Sequence, residues 1–110
     1  MTECLFCKIA SGKIPSEVVY QDNSVFAFKD IHPKAPVHVL IIPKKHIASL
    51  AELKAEDLPL AAHMLETVNQ VAIKLGTGQG YKLVVNTGAE GGQVIMHFHM
   101  HLLGGQHFND

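Results

Sequence analysis

Three histidines at alternate positions carry the first chemical signal: His97, His99 and His101 lie in the stretch HFHMH, separated by Phe98 and Met100. An extended chain turns alternate side chains to one face. On a strand the three imidazoles would therefore stand in a row about 6.6 Å apart, with Phe98, Met100 and Leu102 facing the other way. A helix would pair only His97 with His101 and would lack the glutamate of the metalloprotease motif. Imidazoles in a row fill a core poorly, because every ring has two nitrogens to satisfy. They suit two kinds of chemistry. Neutral, they ligate a metal and leave a coordination position open. Alternatively, one attacks phosphorus while its neighbours handle protons, since histidine titrates near neutrality. The upstream GAEGGQ, residues 88–93, leaves both open. Its glycines either cradle phosphate oxygens with backbone N–H groups or form a mobile turn.

Two further features bear on the choice. Cys4 and Cys7 form a C-x-x-C, which suggests a metal if two more ligands are found. A redox motif would sit at the end of a strand, and only three residues precede Cys4. His38 is the one polar residue in the aliphatic run VHVLII, residues 37–42. It is either a hydrogen-bonded core histidine or part of a site.

The elements that must position these residues follow from pattern. Residues 4–11 read as a short helix stopped by Gly12, with Pro15 preventing continuation. Val18 to Gln21 and Val25 to Lys29 are β-like runs turned at Asp22-Asn23. IHPKAP, residues 31–36, is a loop that Pro33 and Pro36 keep from being helical. Residues 37–42 suit a central strand covered on both faces, closed by Pro43. From 56 to 75 an apolar stripe of helical period runs through Leu58, Ala61, Ala62, Leu65, Val68, Ala72 and Leu75. Asp57 is placed to cap its start and Gly76 to end it. Tyr81 to Asn86 and Val94 to Leu103 are the last strands. The fold expected is α+β: a mainly antiparallel sheet, one long helix and a short N-terminal helix.

The chain has 110 residues, a formal net charge of −1, 47% hydrophobic and 17% charged residues. That is a single domain, 1–110, with enough apolar material for a core. The balanced charge offers no field for a nucleic-acid backbone. With no Trp and two Tyr, an aromatic platform for single strands is not expected either. No apolar run approaches the ~18 residues of a membrane span. The N-terminal stretch lacks the layout of a signal peptide, so a cytoplasmic location is expected.

The stretch HFHMHLL fits an H-φ-H-φ-H-φ-φ signature, with φ apolar. Together with LFCKIASGKIPS, AFKDIHPKAPVHVLIIPKKHI and VVNTGAEGGQ, it resembles the histidine triad (HIT) family from Cys4 to Gly105. The similar branch is the nucleotide-binding one, the purine nucleoside phosphoramidases. The resemblance implies a HIT-like fold with a five-stranded sheet and a homodimer whose subunit sheets join. It further implies hydrolysis of the P–N bond of purine nucleoside 5′-phosphoramidates, and of acyl-adenylates, to the AMP- or GMP-type monophosphate.

By that resemblance His99 is the nucleophile that forms a nucleotidyl-histidine, and no catalytic metal takes part. His101 contacts phosphate and assists the leaving amine, and His38 joins the proton relay. Histidine at the third position, where the uridylyltransferase branch has glutamine, favours hydrolysis over transfer. Asp30 binds ribose hydroxyls, for which a carboxylate's acceptor oxygens are suited. Phe6, Ile9, Ile14, Phe28 and Ile31 form the apolar slot around the base, and Asn86 and Gln93 lie near the phosphate. Val94 stands where many members carry a hydroxyl. This raises the alternative of a nucleotide-binding or interaction module with vestigial activity. A sister branch cleaves dinucleoside polyphosphates, a further alternative. Some members hold a structural zinc, matched here by Cys4, Cys7, His46 and His97. The other histidines, His32, His63 and His107, and the lysines Lys44 and Lys45, read as solvated surface.

Overall fold

The structure, a computed structural model, describes residues 3–109. Among these, five antiparallel strands form one sheet. In chain order they are β1 (Val18–Gln21), β2 (Val25–Lys29), β3 (Val37–Pro43), β4 (Lys82–Val84) and β5 (Met100–Gly104). Their order across the sheet is β1-β2-β3-β5-β4, so β3 lies in the middle and β4 at one edge. Two helices, α1 (Leu5–Ala10) and α2 (Leu58–Lys74), cover opposite faces.

Strand alternation explains that arrangement. Val25 and Ala27 of β2, Val39 and Ile41 of β3, and Met100 and Leu102 of β5 are buried with Met64, Val68 and Val71 of α2. The residues between them turn the other way. Phe26, Phe28, Leu40 and Ile42 form a second cluster with Phe6 and Ile9 of α1. His38 shares that second face with Leu40 and Ile42, and His101 pairs in register with Leu40. The face opposite the long helix is therefore where polar groups meet, and α1 closes only part of it.

Most local expectations hold. Asp22 turns the β1–β2 hairpin by accepting the backbone N–H groups of Ser24 and Val25. Gly76 ends α2 with φ +82°, a conformation costly for any residue with a Cβ. Three expectations are corrected. The last strand begins at Met100, so His97 and His99 are not on it. β3 ends at Pro43, which has no N–H to continue the ladder. Beyond that point Phe98 instead donates its N–H to Ile47 O at 2.6 Å. Asp57 makes no side-chain cap on α2. Its buried carboxylate accepts the Lys54 N–H and the Lys45 ammonium, at 3.0 and 2.6 Å, and so fixes the 3₁₀ turn before α2. His63 is not simply solvated. Its Nε2 lies 2.6 Å from Asp22 Oδ2, which also accepts from Tyr20 Oη at 2.6 Å, joining the hairpin turn to α2.

Candidate active site

His99 owes its orientation to the bent segment preceding β5. Its Nδ1 is 2.6 Å from the backbone oxygen of His97. A carbonyl can only accept, so Nδ1 carries the proton and the Nε2 of neutral His99 is left with its lone pair. The ring of Phe6 stands edge-on to His99, with centroids 5.1 Å apart, and locks the imidazole plane. The side chain is buried except where it borders a cleft. An oriented imidazole with an unprotonated nitrogen toward a cavity is a nucleophile in waiting.

His101 and His38 form a second pair. The backbone N–H of Lys34 donates to His38 Nδ1 at 3.1 Å, so neutral His38 carries its proton on Nε2. That Nε2 is 3.0 Å from His101 Nδ1, which must accept. The proton of neutral His101 is thereby placed on its own Nε2. Burial holds both rings below the ordinary histidine value. For His101 the neighbouring His99 and His38 add to it, and its pKa falls to about 4. Asp30 Oδ2 lies 3.4 Å from His38 Nε2 and opposes the shift, but burial dominates. The Nε2–H of His38 is directed to His101, so Asp30 stands beside a neutral ring as a nearby charge and not as half of an ion pair. The rings of His99 and His101 are 5.0 Å apart.

Asp30, His99 and His101 border a cleft of about 460 Å³, which His38 meets only through its bond to His101. Of the residues expected around a nucleotide, Phe6, Ile9, Ile14, Phe28, Asp30, Ile31, Asn86 and Val94 all line it, together with His99 and His101. Ile31 and Val94 are 83% and 87% exposed and flank its mouth. Gln93 does not reach the cavity. It is buried, its Oε1 accepts the Gly88 N–H and its Nε2 donates to the carbonyls of Ala48 and Ile95. Its job is to hold the loop that carries Gly92, Val94 and Ile95 into the lining. Asn86 braces the same loop by donating to Gly91 O at 2.8 Å. Ser16, Lys34, Leu40 and Ile95 also line the cleft. Pattern reading missed Ser16, Lys34 and Ile95 because loops fold back to bring them there, and Leu40 because it reads as plain core in β3. The clue for Lys34 was its place four residues before His38, on a loop that had to return to the site.

The first histidine of the three serves another cluster. His97 Nδ1 is 3.3 Å from Cys4 Sγ and 3.6 Å from Cys7 Sγ, and Cys7 Sγ is 3.4 Å from His46 Nδ1. The four side chains are close enough to hold one metal ion. Sulfur–nitrogen edges of about 3.5 Å are those of a tetrahedron with Zn–S near 2.3 Å and Zn–N near 2.0–2.1 Å. His97 Nε2 donates to Pro43 O at 2.8 Å, which fixes the ring and leaves Nδ1 as the ligating nitrogen. Two sulfurs and two nitrogens fill a tetrahedron, so such a site is structural: it ties α1 to the segment before β5.

The comparisons agree with this geometry. The family model described as "Scavenger mRNA decapping enzyme C-term binding" matches residues 3–109. A HIT-like protein of Synechococcus elongatus is 47% identical over 104 residues, 94% of this chain and 91% of its own. Protein HitA of Neisseria gonorrhoeae is 45% identical over 94% of this chain and 97% of its own. Among solved structures, a HIT family hydrolase from Legionella pneumophila superposes with a TM-score of 0.95 at 47% identity, covering 97% of this chain and 96% of its own. A histidine triad protein from Clostridium difficile gives 0.96 at 39% identity, over 100% and 96%. With the fold, the three histidines and their supporting contacts all in agreement, the chain belongs to the histidine triad family.

Proposed function

We propose that this protein hydrolyses purine nucleoside 5′-phosphoramidates at the P–N bond, through a nucleotidyl intermediate on His99. The observation that carries the proposal is the tautomer chain: an unprotonated Nε2 on His99 beside a protonated Nε2 on His101. His99 Nε2 forms a bond to the α-phosphorus as the P–N bond breaks. The departing nitrogen takes its proton from the His101 Nε2–H as solvent replaces that proton, so the amine leaves neutral and the His101 ring stays neutral. Phosphorylated His99 gains a positive charge, and the His97 carbonyl accepts from its Nδ1–H. Water then attacks phosphorus, releases a proton to solvent and frees His99 and the nucleoside monophosphate. Splitting one displacement into two suits imidazole, both nucleophile and leaving group. Asp30 is assigned the ribose hydroxyls and Phe6, Ile9, Ile14, Phe28 and Ile31 the base.

Several observations support the reading. The Legionella neighbour is described as a hydrolase. We assign no metal to the chemistry: Asp30, His38 and His101 lie close together, but both ring nitrogens of His38 are engaged, Nδ1 with the Lys34 N–H and Nε2 with His101. We assign a structural zinc to Cys4, Cys7, His46 and His97. We further assign a homodimer joined along β4, the sheet edge that carries the half-exposed Leu83, and a cytoplasmic location. A second reading, a binding module with residual activity, is favoured by Val94, whose exposed side chain offers the cleft no hydroxyl.

The test is release of amine from an adenosine 5′-phosphoramidate by wild type and His99→Ala, each with and without chelator. Turnover by chelated wild type but not by the variant is the expected result. Turnover that vanishes on chelation in a still-folded protein would put a metal in the mechanism. Nucleotide binding with no turnover under any condition would favour the binding module.

A further inference from the structure

We propose that Lys34 binds a second negative charge on the substrate, beside the reacting phosphate, and so selects substrates with an anionic leaving group. This rests on the nucleotide-hydrolase reading above and specifies its leaving group. Lys34 lines the cleft together with Asp30, His99 and His101. Its backbone N–H is bonded to His38, so the residue is anchored at the relay end of the cavity. Among the described residues its ammonium has no hydrogen bond or ion pair. The other lysine on the lining differs: Lys29 is paired with Glu17 at 3.0 Å. The carboxylate of Asp30 is engaged as well, with Oδ1 accepting the His32 N–H at 2.8 Å and Oδ2 facing His38.

The charge at this end of the cleft is therefore lopsided. The histidine pair is neutral, and the positive charge of Lys34 is one of the influences that keep protons off both rings. A phosphoramidate diester-like centre carries a single negative charge, for which the His101 Nε2–H already supplies a donor. An ammonium on a flexible four-carbon stem has reach beyond that phosphate. The anion it meets is of one chemistry from two sources. It is either a carboxylate on the departing amine, released as the P–N bond breaks and the nitrogen gains a proton, or a phosphate released as a P–O bond breaks.

The test compares kcat/KM for adenosine 5′-phosphoramidates of β-alanine and of β-alaninamide, equal in size and differing in charge, with diadenosine triphosphate as the phosphate probe. Full-length wild type, Lys34→Gln and Lys34→Arg are compared. The glutamine variant keeps the backbone bond to His38. A charge-assisted contact at a part-open site gives an effect of about five- to tenfold. The β-alanine to β-alaninamide ratio should fall by that factor in Lys34→Gln, largely through KM, and be retained in Lys34→Arg. A fall confined to diadenosine triphosphate assigns the anion as phosphate. An unchanged ratio for both anionic probes overturns the proposal. If wild type cleaves neither phosphoramidate, the parent reading fails. Equilibrium binding of ADP against AMP then decides, with the affinity ratio falling in Lys34→Gln if the proposal holds and staying constant if it does not.

Discussion

His97 Oand His99 Nδ1, 2.6 Å apart, set one imidazole against the main chain of another triad member, so two adjacent histidines have separable roles. The carbonyl orients His99, the proposed nucleophile, while the His97 side chain serves the cysteine cluster. His99→Ala should lower kcat by at least about 10⁴-fold, as loss of a nucleophile typically does. His97→Gln keeps the carbonyl. It should lower the melting temperature and zinc content while kcat, measured well below the transition, stays within about tenfold. Calorimetry, metal analysis and steady-state kinetics on the two variants check this.

The His38–His101 pair makes the acid titration of the site unusual. His101 is neutral above about pH 4, and a second proton on Nδ1 would face the Nε2–H of His38. NMR titration should show the His101 ring taking up its second proton near pH 4, not near the ordinary 6.5. Stability follows the same window. The unfolded ring takes up a proton near pH 6.5 and the folded ring only near 4, so stability declines as pH drops from about 6.5 to 4. His101→Gln should flatten that decline in urea titrations at successive pH values.

His63 behaves oppositely. Hydrogen bonds to Asp22 and, at 3.5 Å, Glu66 raise its pKa above 6.5. The folded protein therefore holds this proton to higher pH than the unfolded chain. Its contribution is complete below about pH 6.5 and is lost as pH rises through the raised value. The melting temperature of His63→Gln should lie below wild type at pH 5.5, with the gap closing by pH 8.5.

Gln93 tests the distinction between touching substrate and holding a loop. Gln93→Ala leaves the Gly88 N–H and the carbonyls of Ala48 and Ile95 without their side-chain partner. It should cost about 2–4 kcal/mol in urea unfolding, the expectation for buried groups left unpaired. Because Gly92, Val94 and Ile95 line the cleft, KM for the nucleotide should rise more than kcat falls.

Much of this arrangement was legible in the residues. The near-continuous aliphatic run of β3 reported a strand covered on both faces, and the helical stripe located α2. His38, the one polar residue in an aliphatic strand, marked the buried site. The motif likeness brought the cleft residues together, although Gln93 belongs beneath the loop and not in the cavity. Other features depended on geometry that pattern cannot carry. A strand's period predicts three parallel imidazoles, but the ladder stops where Pro43 has no N–H, and His97 swings to the cysteines. Asp57 looks like a cap by position, yet Lys45, twelve residues earlier, reaches it first. His63 acquires its partner only because the hairpin turn and α2 meet in space.

The most direct test of the central claim is a rapid quench of wild type with an adenosine 5′-phosphoramidate, stopped in base to preserve phosphoryl-histidine, followed by intact mass and peptide mapping. The expected result is a transient adenylyl adduct on His99, formed as fast as amine is released and absent from His99→Ala. Amine release at the full rate with no adduct at any time, or an adduct on another residue, would contradict covalent catalysis by His99.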